Sequence, residues 1–73
     1  GEVYSMFGER LRALRLSKNL SQIHLADMCG TSRKNIENWE TGKKEPKIAE
    51  LSCLANALGV TFSELVGIEA ELS

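Results

Sequence analysis

The stretch from Ser21 to Gly42, SQIHLADMCGTSRKNIENWETG, constrains this chain more than any other. A serine opens an apolar-periodic octet that Gly30 closes, and Thr31-Ser32 open a second octet that Gly42 closes. A serine oxygen accepts from a free first-turn amide and so starts helices; glycine tolerates positive φ and so ends them. The spacing predicts two short helices joined by a tight turn. Leu25, Ala26 and Cys29 face inward on the first, and Ala26 is small where two crossing helices leave little room.

The second octet has two unlike faces. At about 100° per residue, Arg33, Glu37, Lys34 and Asn38 fall within an arc of about 140°, opposite Asn35, Trp39, Ile36 and Glu40. One arc is long, polar and hydrogen-bonding; the other carries Ile36 and Trp39. Alone, such a helix is simply amphipathic with a solvated face. Behind a first helix and a tight turn it becomes the second half of a helix-turn-helix. Its outward residues are then of the kind that read base edges in a major groove, Arg or Lys toward guanine and Asn toward adenine.

The rest of the chain supports this pair. Ser5 is a fair N-cap for a first helix with Phe7, Leu11 and Leu14 on one stripe, ending near Lys18-Asn19, with Leu20 tucked into the core. Gly8 weakens the first turn of that helix by up to about 1 kcal/mol relative to Ala. After the basic loop Thr41–Pro46, a fourth helix repeats apolar residues at Ile48, Leu51, Leu54, Ala55 and Leu58 and stops at Gly59. Thr61 and Glu64 form a capping box for a short fifth helix with Phe62, Leu65 and Val66. Residues 67–73 read as a tail, or as a strip that pairs with a second subunit through Ile68 and Leu72. No strand is expected. The prediction is one all-α domain over residues 1–73, a compact five-helix bundle with its core about 6–66 and its helix-turn-helix at 21–42.

Seventy-three residues can bury only a small core, so packing has to be tight and connections short. No apolar run approaches the length of a membrane span and no signal-peptide pattern appears, which points to a soluble cytoplasmic protein. Gly1 stands where an initiator methionine would and reads as a product of processing. Cys29 and Cys53 lie in apolar stripes without a further Cys or His at ligand spacing, so they read as buried small hydrophobes, with a disulfide or a metal site as the lesser alternative. His24 has no nucleophile or carboxylate at helical spacing apart from Ser21, and no phosphate-cradling glycine loop or zinc signature is present. Neither an enzyme nor a cofactor is expected.

The net charge of −1 speaks weakly against a polyanionic partner, but its distribution speaks for one. Residues 1–9 carry −2; residues 10–47 carry nine cations against four anions, or +5; residues 48–73 carry four Glu and no cation. A basic half can hold a duplex through local counterion release while the acidic half points away.

Arg15, Leu20-Ser21-Gln22, Leu25-Ala26, Gly30, Ser32, Ile36, Trp39-Glu40-x-Gly42, Pro46 and Leu54-Ala55-x-Ala57-Leu58-Gly59, all in register, resemble the phage-repressor, Cro-like helix-turn-helix family of transcription regulators. The resemblance covers residues 6 to 66 and implies a lambda-repressor-like fold. It also implies a sequence-specific double-stranded-DNA-binding regulator, most plausibly a repressor, acting as a homodimer. By this resemblance Arg33, Lys34, Glu37 and Asn38 match base-contacting positions, with Glu37 suited to a cytosine amino group. Gln22 would bond a phosphate and brace the reading helix. The amides near Thr41 and Gly42, with Lys43 and Lys44, would grip the phosphate backbone. Arg15 and Glu40 would form a partly buried ion pair, and Glu40 on the inward arc calls for a cation in any case.

Two departures suggest a second reading. Ile23 and His24 occupy a stretch where that family carries polar or acidic residues, and Leu16 is apolar on a face that should be exposed. These are either scattered surface hydrophobes or a patch for a protein partner, as in an interaction module or the antitoxin half of a toxin–antitoxin pair.

Overall fold

A computed structural model describes residues 2–67, and the side chains of residues 6–67. Five helices follow one another: α1 (Glu2–Ser17), α2 (Gln22–Cys29), α3 (Arg33–Thr41), α4 (Ile48–Leu58) and α5 (Phe62–Val66). Among the described residues there is no strand and no helix long and apolar enough to cross a membrane. The tail expected to pair through Ile68 and Leu72 lies outside the described residues.

Local chemistry sets most boundaries. Ser21 Oγ accepts from the His24 amide and Ser32 Oγ from the Asn35 amide, so both helices of the motif begin where their serine stands. Gly30 at φ 67° and Gly42 at φ 82° end them in the left-handed region that a side chain disfavours. The capping box of α5 is reciprocal: Glu64 N–H donates to Thr61 Oγ1 at 3.0 Å and Thr61 N–H to Glu64 Oε1 at 2.9 Å. Those bonds to the charged form hold the Glu64 carboxyl below its ordinary 4.5. Asn19, at φ 59°, takes the left-handed place after α1, and Leu20 N–H returns to the Arg15 carbonyl.

Three expectations are corrected. Helix α1 starts at Glu2, so Ser5 lies within it and not at its N-cap position. Gly8 does not interrupt it, because that glycine is buried in a close helix crossing whose packing outweighs its poor propensity. Ile48, read as part of the inward stripe of α4, is 75% exposed, at the first position of α4, where Lys47 and Ala49 are exposed as well.

Leu11, Leu25, Ala26, Ile36, Trp39, Leu54, Ala55, Leu58 and Leu65 form one core to which all five helices contribute, with Phe7, Leu14, Leu20 and Leu51 packed at its margin. Helix α3 lies against both α1 and α2, and α4 and α5 close the opposite side. The inward residues of α3 are thereby fixed from two directions, leaving its remaining face outside.

Candidate nucleic-acid interface

Between α2 and α3 the chain turns through Gly30, Thr31 and Ser32. Thr31 N–H donates to the Ala26 carbonyl at 2.9 Å, and Thr31 Oγ1 accepts from Asn35 Nδ2 at 2.7 Å. The turn is thus bonded to the helices on both sides, and the start of α3 is held while Arg33 and Lys34 extend outward. Their side chains are 49% and 63% exposed. Glu37, between them one turn on, is 31% exposed.

Asn38, expected on the same outward arc, is buried at 8% exposure. It stood at the edge of the arc, and helical arithmetic on an isolated cylinder omits what the following residues do. The chain after α3 turns back on itself: the N–H groups of Gly42, Lys43 and Lys44 all point at the Asn38 carbonyl, those of Lys43 and Lys44 at 2.9 and 3.3 Å. The loop amides expected to be free for a phosphate are therefore already bonded within the protein. Thr41 Oγ1 is likewise bonded within the protein, donating to the Glu37 carbonyl at 2.9 Å. What the loop offers outward is its exposed lysine side chains, Lys43 and Lys44.

Beneath α3, Arg15 and Glu40 meet as anticipated. Arg15 Nε donates to Glu40 Oε2 at 2.6 Å and Nη2 to Oε1 at 3.2 Å, while Nη1 donates to the Leu20 carbonyl at 2.8 Å. The side chains are 9% and 4% exposed, so this is a two-pronged ion pair largely out of water. Gln22 Nε2 donates to Glu40 Oε1 at 3.1 Å, and Gln22 Oε1 accepts from Arg33 Nη1 at 3.2 Å. Gln22 thus links the buried pair to the first residue of α3. Its link outward to Arg33 was not anticipated, because the two residues stand eleven positions apart on different helices.

Nothing in the described residues assembles a metal site: no three of His, Cys, Asp and Glu come together. His24 is exposed, and the hydroxyl of Ser21 is occupied as a helix cap by its backbone amide. Cys29 and Cys53 are both free thiols at the α2–α4 contact, with Cys53 Sγ 3.5 Å from the Cys29 carbonyl. Burial, reinforced by the Cys53 thiol beside it, pushes the Cys29 thiol up to about 12 from 9.0. Much less of it is thiolate than in the unfolded chain near pH 8. Iodoacetamide at that pH should accordingly alkylate Cys29 far faster in denaturant than in buffer, followed by peptide mass spectrometry.

The same architecture occurs in known proteins. The structure of the restriction-modification controller protein C.AhdI from Aeromonas hydrophila superposes with a TM-score of 0.83 at 37% identity, covering 85% of this chain and 90% of that one. In sequence, the prophage-derived HTH-type transcriptional regulator YonR of Bacillus subtilis is 46% identical over 61 residues, 84% of this chain and 56% of the relative. The immunity repressor protein of Bacillus phage phi105 is 34% identical over 62 residues, covering 85% and 43%. The HTH-type transcriptional activator BcrR of Enterococcus faecalis is 41% identical over 63 residues, covering 86% and 31%. This chain thus spans roughly a third to a half of these curated relatives. The helix-turn-helix family model HTH_3 matches residues 11–65, a span that runs from the first core leucine to the last and takes in the whole turn and its ion pair. With that match and those relatives, the chain belongs to the helix-turn-helix family HTH_3.

Proposed function

We propose that this chain is the DNA-binding part of a transcription regulator, reading duplex DNA by laying α3 in the major groove. The observation that carries this reading is the outward placement of Arg33, Lys34 and Glu37 on a helix whose other face is locked into the core. Arg33 and Lys34 are the candidates for guanine, Glu37 for the amino group of cytosine. Asn38, 8% exposed, stands at the edge of this set and not among its outward residues. Lys43 and Lys44 supply phosphate contacts as side chains, joined by Gln22 if it exchanges an internal bond for a phosphate. The names of the relatives, an immunity repressor and HTH-type regulators, support a role in transcription, and of repression and activation we favour repression by occlusion of polymerase.

In this reading the protein is cytoplasmic, has no catalytic role, and acts as a homodimer on a palindromic site whose halves lie about 34 Å apart. Selection from a random-oligonucleotide pool at low salt, with light scattering for the oligomer, tests both points. A protein that enriches no sequence would end the proposal. On the selected site, Arg33→Ala should relax preference at one base pair by about 1–3 kcal/mol. Lys43→Ala should instead weaken all sequences alike and lower the salt slope by about one counterion. Measured affinities over a panel of point-mutant sites separate the two.

A second reading has its own observation. Leu16 and Ile23 are 52% and 60% exposed, and exposed apolar side chains of this size can serve a protein partner. Stable complex formation with a co-encoded protein, and no DNA affinity near 50 mM salt, would favour an interaction module.

A further inference from the structure

We infer that Glu37 is a specificity-determining residue: it occupies Arg33 and Lys34 in the free protein and thereby suppresses binding to DNA of arbitrary sequence. The inference rests on the proposal that α3 reads duplex DNA. Both Glu37 oxygens are engaged, Oε1 accepting from Arg33 Nη1 at 3.2 Å and Oε2 lying 3.8 Å from Lys34 Nζ. Arg33 Nη1 donates in addition to Gln22 Oε1, and Gln22 donates to Glu40 of the ion pair. The guanidinium is therefore tethered from two sides, and one tether runs into the core.

Helix chemistry does not ask for this arrangement. Arg33 and Lys34 are the first residues of α3, which has no acidic residue in its first turn, so both cations sit at the positive end of the helix dipole. A cation placed N-terminal to its carboxylate at i, i+4 is the weaker order of such a pair. Exposed cations in these places would be ready to take any phosphate, and among the described residues the carboxylate in reach of both is Glu37.

The consequence follows from what each kind of DNA can offer in exchange. A phosphate that draws Arg33 or Lys34 away strips Glu37 of one of its two cations and places a second anion beside it. A site with guanine acceptors for the cations and a cytosine amino donor for the carboxylate replaces every contact that is lost. Discrimination then comes from a repulsion against wrong sites as much as from attraction to the right one.

The test compares the parent with Glu37→Gln, which keeps the shape and removes the charge. Each binds the duplex selected by the parent and a scrambled duplex of the same composition, at about 50 and about 200 mM salt, read by fluorescence anisotropy. Circular dichroism melting first checks that Glu37→Gln folds like the parent. Affinity for the scrambled duplex should rise, and the selected-to-scrambled ratio should fall by about tenfold. An unchanged ratio, with both proteins binding, overturns the role of Glu37 and leaves the DNA-reading proposal standing. A parent that binds neither duplex at the lower salt overturns both.

Discussion

Glu40→Ala should remove a large share of the domain's stability. Its partner Arg15 is 9% exposed in the side chain and would keep one carbonyl, that of Leu20, as acceptor for a charge held out of water. Removing one member of such a pair costs about 3–5 kcal/mol, against a total stability of roughly 4–11 kcal/mol for 73 residues. The expected fall in melting temperature is about 15 °C or more, followed by circular dichroism. The double change Arg15→Met with Glu40→Leu should recover most of the loss, because two apolar side chains do not strand a charge. A Glu40→Ala protein melting within about 5 °C of the parent would mean that water reaches the pair freely and that the packing of α1 on α3 does not depend on it.

Gly8→Ala is expected to destabilise, against what helix propensity alone says. In an exposed helix interior the change stabilises by about 1 kcal/mol. Here a Cβ would stand 2.2 Å from the Glu40 carbonyl oxygen, 2.8 Å from its carbon and 3.0 Å from the Trp39 carbonyl oxygen. All three are backbone atoms at the end of α3, so no side chain can rotate away, and α1 has to lift from α3. Overpacking of this kind costs about 1–3 kcal/mol and acts on the crossing that aligns the Arg15–Glu40 pair. Denaturant unfolding of the two proteins decides the sign. A midpoint raised by Gly8→Ala would show that the crossing relaxes without strain.

These two predictions mark where the sequence could be read and where it could not. The caps at Ser21, Ser32 and Thr61 and the stops at Gly30, Gly42 and Gly59 were legible because each uses residues within a turn of one another. The Arg15–Glu40 pair was legible from a carboxylate on an inward arc together with the family resemblance. Gly8 read as a weak point in a helix, because nothing local says that another helix's backbone comes to rest on it. Asn38 was misplaced for a related reason: its burial accompanies a loop that folds back after α3, which a helical wheel cannot contain. The Gln22–Arg33 bond likewise joins two helices across a turn whose angle emerges only in three dimensions.

The grip on α3 is uneven along its length. Its exit is held deep, by the crossing at Gly8 and the pair at Glu40, while the residues that face away near its entry, Arg33, Lys34 and Glu37, contribute nothing to the apolar interior. Those three letters can be rewritten as a set while the scaffold beneath keeps its shape. On the proposed reading, such a fold can acquire new targets by exchanging a few outward side chains.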